Sequence, residues 1–239
     1  QEPRAKSQEP RANAIAYVKI LRLDHWIKQL FILPGLICAV FLTKSGTVSA
    51  SHIIIGFFSV CLIASANYVI NEYLDAKFDK YHPVKKQRSL VSHNVNSHVI
   101  WLMWACLSLV GFIAGLAVNT PFLATVICLW VMGLAYNVEP VRLKDIPVLD
   151  VLSESVNNAI RLLAGWFMVS GNTLPPCSLV AGYWMGGAFL MGIKRYAEYR
   201  MIGDTEAAGK YRKSFNFYTE KFLLVSSFFY AMCSVFFTG

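Results

Sequence analysis

Residues 52–79 read HIIIGFFSVCLIASANYVINEYLDAKFD. The first part is mostly apolar and has the length that an α-helix needs to cross a bilayer, about 20 residues. The stretch then turns polar without a helix breaker. Asn67, Asn71, Asp75 and Asp79 recur every four residues and so line one face of a continuing helix. Glu72, three before Asp75, joins the cluster. An apolar helix ending in a stripe of amides and carboxylates points to a membrane bundle with a polar site at one face.

The rest of the chain agrees. Six more apolar segments lie near 27–43, 98–118, 120–137, 148–170, 175–193 and 219–238, giving seven candidate spans in an all-α, polytopic membrane bundle. The fifth, 148–170, carries Glu154, Asn157, Asn158 and Arg161, and a helix that polar must face a bundle interior or cavity. Hydrophobic residues make up 56% of the 239 and charged ones 15%, well below the share of about 25% in soluble domains. That excludes a disordered chain and argues against a soluble one. QEPRA occurs at 1–5 and again at 8–12, so residues 1–13 read as a polar tail and 14–239 as one transmembrane catalytic domain. The six cysteines are scattered without CxxC spacing, which argues against zinc or a disulfide framework.

Charge sorts across the membrane. With the N-terminus on side one, that side collects 20 of the 22 Lys and Arg, in the N-terminal arm and near 72–97, 138–147 and 194–218. Only Lys44 falls opposite, and Arg161 lies within a span. The positive-inside rule makes side one cytoplasmic. The net charge of +8 therefore reports orientation and anionic ligands, not nucleic acid. All 14 acids lie at or near the same side. Acids follow no such orientation rule, so their concentration suggests a polar catalytic face.

Four constellations could do chemistry. Carboxylates stacked as at Glu72, Asp75 and Asp79 repel unless a cation sits among them, and hard oxygen ligands favour Mg²⁺, which also binds substrate phosphates. The alternative is a solvated charge cluster ending a helix. His82-Pro83-Val84-Lys85-Lys86-Gln87-Arg88 follows as a loop, since Pro83 breaks a helix. Alone, its Lys and Arg suit phosphate oxygens or lipid headgroups equally well, and the neighbouring acidic cluster favours phosphate. Lys194-Arg195-Tyr196-Ala197-Glu198 leaves the sixth helix. Lys194 and Glu198 there could simply pair, and the two basic residues could be snorkelling anchors. Arg161, an intramembrane cation, is either a site residue or the partner of Glu154 two turns away. Arg22, His25, Trp26 and Lys28, and Asn137, Arg142 and Lys144, stand at the same face as possible interfacial anchors. No Walker A loop, GxSxG or GxGxxG precedes a helix in the required context.

The stripe Asn71-x-x-x-Asp75-x-x-x-Asp79, ending a second helix, resembles the first aspartate-rich motif of the UbiA superfamily of membrane prenyltransferases. That resemblance implies an all-helical bundle, typically of nine spans, around a central cavity, with Mg²⁺ and a diphosphate at its cytoplasmic mouth. Where those prenyltransferases carry a second aspartate-rich motif, this chain has Lys194-Arg195-Tyr196-Ala197-Glu198. This segment is similar to the polyprenyl-phosphate phosphoribosyltransferase branch, which makes decaprenylphosphoryl-phosphoribose. Trp26-Ile27-Lys28, His82-Pro83 with Lys85 to Arg88, Arg161-Leu-Leu-Ala-Gly165, Arg212-Lys213-Ser214 and Tyr218 resemble that branch too. The likeness covers about 18–235. Two departures are Glu72, where the family usually has Asp, and seven candidate spans, which imply a chain shortened by a C-terminal hairpin.

The resemblance implies phosphoribosyl pyrophosphate as donor and a polyprenyl phosphate as acceptor, its tail among the membrane lipids. Asn71, Asp75, Asp79 and Lys194 are the expected catalytic set. Asp75 and Asp79, with Asn71 and Glu72, would hold Mg²⁺ on the pyrophosphate. Lys85, Arg88, Lys194 and Arg195, with Glu198 beside them, would meet phosphates, and Lys28 or Arg161 would orient one of them. The competing enzyme reading is transfer of an isoprenyl chain onto an aromatic or lipid acceptor. A transporter would need a midplane site and often an internal repeat, and no repeat is evident. A non-catalytic scaffold would leave the stripe a coincidence.

Overall fold

A computed structural model describes residues 16–43, 49–85 and 96–239. The tail at 1–13, Lys44, Lys86 and Arg88 lie outside the described residues. Among those described, the chain is helical and contains no strand. The first crossing runs Ala16–Thr43, with a tight 3-10 stretch at Leu23–Ile32 passing into α1, Leu33–Thr43. Then come α2 (Ala50–Asp79), α3 (Ser97–Leu116), α4 (Thr120–Asn137), α5 (Leu149–Val169), α6 (Cys177–Ile202), the short α7 (Thr205–Tyr211) and α8 (Glu220–Thr238).

Local chemistry sets the helix starts. Ser49, Asn96, Asn119 and Thr219 each accept a hydrogen bond from a backbone N–H in the first turn, and Pro121 follows Asn119 inside α4. Among the described residues five segments are long and apolar enough to cross a membrane: Ala16–Thr43, α2, α3, α4 and α8. The two remaining expected spans, α5 and α6, are helices at the expected places but fall outside that apolar class, because their polar residues face inward. The chain is an integral membrane protein. Its outer helices bear large exposed apolar groups, such as Leu102 and Ile113 on α3 and Phe228 and Phe229 on α8.

Two expected boundaries move. The segment Lys194–Glu198, read as a loop, is helical, because α6 continues to Ile202. Buried ion pairs of Arg195 to α5 and to Glu198 brace that extension. The first crossing includes residues well before 27, being already helical at Ala16, the first described residue.

α2 and α5 are the inner helices. α5 packs on α1, α4 and α6, and α2 on α3 and α4, around a core that includes Ile63, Phe122, Leu162 and Trp166. Glycines let α1 and α5 cross closely. A Cβ on Gly35 would stand 1.9 Å from the Leu162 carbonyl oxygen, and one on Gly165 would stand 2.0 Å from that of Ile32. The connection into α5 is strained: Val148, a β-branched residue, sits at φ 69°, where its N–H donates to the Tyr218 hydroxyl at 2.7 Å.

Candidate active site

The acid stripe of α2 faces the ends of α4 and the loop that follows. Asp75 is the focus. Asn71 Nδ2 donates to its Oδ2 at 3.1 Å and Arg142 to its Oδ1 at 3.0 Å, and the Lys144 ammonium donates to the same Oδ1. Asn137, the last residue of α4, ties the cluster together. Its Oδ1 accepts from Lys144 at 2.7 Å, and its carbonyl oxygen accepts from Arg142 at 3.0 Å. Burial pulls the Lys144 ammonium down to about 8, against the opposing pull of Asp75.

Asp75 lines a cavity of about 460 Å³ enclosed by the first crossing, α2, α4, α5 and α6. Among the described residues its lining Lys and Arg are Arg22, Lys28, Lys85, Arg161, Lys194 and Arg212, and its lining carboxylates are Asp75 and Glu154. Six basic groups against two acids make a wall suited to a polyanion. Along α2 the lining runs from Ala64 to Asp75, about 16 Å at 1.5 Å per residue. Arg161 also lines the cavity, and its guanidinium donates to Gln29 Oε1 at 2.7 Å and Asn158 Oδ1 at 3.3 Å.

A second network stands behind the wall. Arg195 is fully buried. It donates to Asp150 at 3.2 Å and Glu198 at 2.6 Å and also binds Glu154. Glu154 accepts from Lys194 at 2.6 Å and from the Tyr136 hydroxyl at 2.9 Å. Glu198 also takes the Lys85 ammonium, which reaches the Tyr211 hydroxyl as well. Burial pushes the Tyr211 phenol up to about 12. Asp150 accepts from Ser214 at 3.1 Å and from Tyr218, so the segment after α6 is pinned against the base of α5.

Of the expected site residues, Asn71, Asp75, Lys28, Lys85, Arg161 and Lys194 share the cavity wall. Glu72 does not. Its carboxylate takes Arg22 Nε at 3.2 Å and Nη2 at 3.1 Å, and Arg22 itself sits left-handed at φ 49°. Asp79 is buried one turn beyond Asp75, outside the lining. Arg195 and Glu198 also stand behind the wall, where they neutralise each other. Two expected pairings give way to others: Glu154 holds Lys194 and Arg195, not Arg161, and Glu198 holds Arg195 and Lys85, not Lys194. Arg142 and Lys144, read as possible anchors, form the Asp75 cluster. Their signal was their place in a short loop on the same face as the stripe. Arg212 was marked only by the resemblance of Arg212-Lys213-Ser214, and Tyr136 carried no signal.

Among the described residues no three His, Cys, Asp or Glu side chains converge as a ready metal cage. Asp75, Asp79 and Asn71 follow one helix face and carry oxygen donors of the kind a hard cation takes, but Arg142 and Lys144 already neutralise Asp75, so an ion there would have to displace them. A hard ion there would complete its shell with water and phosphate oxygens. Glu72, engaged by Arg22, does not fit that set.

A helical membrane bundle around a basic, carboxylate-edged cavity is the architecture of a membrane protein with a site for an anionic ligand. The chain belongs to the UbiA prenyltransferase family, whose model matches residues 31–239, and so is a membrane transferase. It is 30% identical to a decaprenyl-phosphate phosphoribosyltransferase of Mycolicibacterium smegmatis, over 93% of this chain and 69% of that one. It is equally 30% identical to a protein of that name from Mycobacterium tuberculosis, over 90% and 70%. In fold it matches a UbiA homolog from Archaeoglobus fulgidus bound to GPP and Mg²⁺, with TM-score 0.77 and 19% identity, over 93% of this chain and 76% of that one.

Proposed function

We propose that this chain transfers a phosphoribosyl group from phosphoribosyl pyrophosphate to a polyprenyl phosphate, and that residues 14–239 form one catalytic domain. The observation that carries the reading is the cavity's excess of basic over acidic groups, which suits a donor bearing phosphates at both ends. The names of the mycobacterial relatives support it. The basic face is read as cytoplasmic from the distribution of Lys and Arg.

In this reading Lys144, Arg142, Lys85 and Arg212 gather the pyrophosphate end of the donor. Asp75 and Asp79, with Asn71, would hold Mg²⁺, which when bound offsets the charge of the leaving pyrophosphate. Lys28 and Lys194 flank the path between the two ends of the cavity. An acceptor phosphate oxygen bonds to C1 of the ribose as the bond from C1 to pyrophosphate breaks, and the electron pair leaves with pyrophosphate. The attacking oxygen is already anionic, so no general base is required. The chain's contribution is positioning and fixed positive charge.

Membranes containing the chain, given labelled phosphoribosyl pyrophosphate and a polyprenyl phosphate, should transfer label to the lipid fraction. A parallel incubation with a prenyl diphosphate and an aromatic acid should give no product. Product only in the second incubation would replace this reading with prenyl transfer.

A further inference from the structure

Among the described residues the cavity wall carries two carboxylates, and Glu154, on α5, stands outside the acid stripe. A carboxylate repels a polyanion, so Glu154 does not serve the donor's phosphates. Nor does Arg195 need it, since Asp150 and Glu198 already pair with that guanidinium. Glu154 is held from behind instead. Its Oε2 takes Arg195 and also the Tyr136 hydroxyl at 2.9 Å, while Oε1 takes Lys194 at 2.6 Å. Two donors fill the lone pairs of Oε2. Oε1 keeps an acceptor position, on a side chain that is 22% exposed.

Asn157 adds a second acceptor. It lies three residues after Glu154, on the same face of α5, and lines the same cavity. Its Nδ2 donates to the carbonyl oxygens of Glu154 at 3.2 Å and Ser153 at 3.4 Å. A carbonyl only accepts, so the nitrogen end of the amide is fixed, and the oxygen end with it. Among the described residues that oxygen, Oδ1, is buried without a hydrogen-bond partner. A buried acceptor left unpaired is destabilising, and a ligand's donor would relieve it. Asn137 and Asn158, also in the wall, spend their oxygens on Lys144 and Arg161. Asn67 has a spare oxygen too, but it lies against Gly133 of α4, 2.2 Å from where a Cβ would stand.

We infer that Glu154 and Asn157 bind the vicinal hydroxyls of the donor's ribose and so select a sugar donor over an isoprenoid one. The inference rests on the proposed reaction and deepens it. Both side chains offer acceptors. A phosphate dianion and a hydrocarbon chain supply no donor to them, whereas two neighbouring hydroxyls supply two. The placement agrees. Tyr136, which donates to Glu154, adjoins Asn137 of the Asp75 cluster. Glu154 therefore stands next to the place the sugar takes when its pyrophosphate is at Asp75. A carboxylate oxygen is also the stronger kind of acceptor, and acidic side chains hold ribose hydroxyls in the same way in dinucleotide sites.

The test is binding to the chain in nanodiscs, using ribose 5-phosphate, 2-deoxyribose 5-phosphate and pyrophosphate as separate probes. The parent chain should prefer ribose 5-phosphate to its deoxy analogue by about tenfold or more, because the missing hydroxyl leaves a buried acceptor unpaired. Glu154→Gln should cut that preference to about threefold or less, with pyrophosphate binding unchanged or tighter, since a negative charge has left the wall. Asn157→Leu should also cut it, without lowering the unfolding temperature, because the variant removes an unpaired acceptor. It therefore guards against a folding defect in the first variant. A parent chain without the preference would overturn the inference, whatever the variants do. So would a preference that survives in both variants, or a Glu154→Gln chain that loses pyrophosphate as strongly as ribose 5-phosphate, which would mean that Glu154 acts through Lys194 and Arg195. If phosphoribosyl transfer occurs without the preference, the reaction stands and the inference falls. If the preference depends on Glu154 and Asn157 but no transfer occurs, the inference stands and the proposed reaction falls.

Discussion

Lys144 rests its ammonium on Oδ1 of Asp75, a residue 69 positions earlier in the chain, and Arg142 donates to the same oxygen at 3.0 Å. A buried carboxylate that collects two cations is the point on which site charge and fold depend together. Asp75→Asn keeps the shape and removes the charge. It should cut transfer by about 10³-fold or more, since fixed charge of this kind supplies several kcal/mol to a transition state. Mn²⁺ titration without substrates should show the loss of metal affinity directly. Retained turnover in this variant would sink the assignment of Asp75.

Glu72 makes the opposite case. It belongs to the acid stripe by sequence, yet its carboxylate is bound by Arg22 at 3.1 Å. Glu72→Gln should leave Mn²⁺ affinity within about twofold and lower stability by about 1–3 kcal/mol, because Arg22 then loses its partner in a largely buried place. Thermal unfolding in detergent alongside the titration separates the two effects. A large loss of metal affinity would return Glu72 to the ligand set.

The contrast between these two residues shows what was legible. Helical periodicity placed Asn71, Asp75 and Asp79 on one face, and hydropathy placed seven helices close to where they stand. Periodicity cannot say which way a residue at the edge of a stripe turns. Glu72 is drawn off by Arg22, which approaches from a crossing 50 positions away after a left-handed break. The partners of Asp75 were hidden for the same reason: Arg142 and Lys144 reach it only because α4 ends beside α2. Lys194 and Arg195 looked alike in the sequence, but adjacent positions on a helix point in different directions. Lys194 faces the cavity, and Arg195 is enclosed by three carboxylates.

Arg195 should therefore act on stability. Arg195→Met leaves Asp150, Glu154 and Glu198 without their shared cation. Breaking a buried pair by removing one partner costs about 3–5 kcal/mol. The expected result is a marked fall in the unfolding temperature, with activity lost in proportion to the folded fraction. Arg195→Lys should rescue little, because a single ammonium cannot replace a fork that serves three acceptors. A stable Arg195→Met protein with a raised donor KM would instead make Arg195 a phosphate ligand.

Gly165 tests the frame that carries Arg161. A Cβ there would meet the Ile32 carbonyl oxygen at 2.0 Å and the Leu36 amide nitrogen at 2.9 Å, both of them backbone atoms. Backbone cannot rotate away as a side chain can, so Gly165→Ala must push α1 from α5. Overpacking of this kind costs about 1–3 kcal/mol. The same displacement would pull Gln29, which leads into α1, off the Arg161 guanidinium it now holds at 2.7 Å. The expected outcome is a lower unfolding temperature together with slower transfer, while pyrophosphate binding at Asp75 is spared. An unfolding temperature equal to that of the parent chain would show that the α1–α5 crossing is not as tight as its glycines imply.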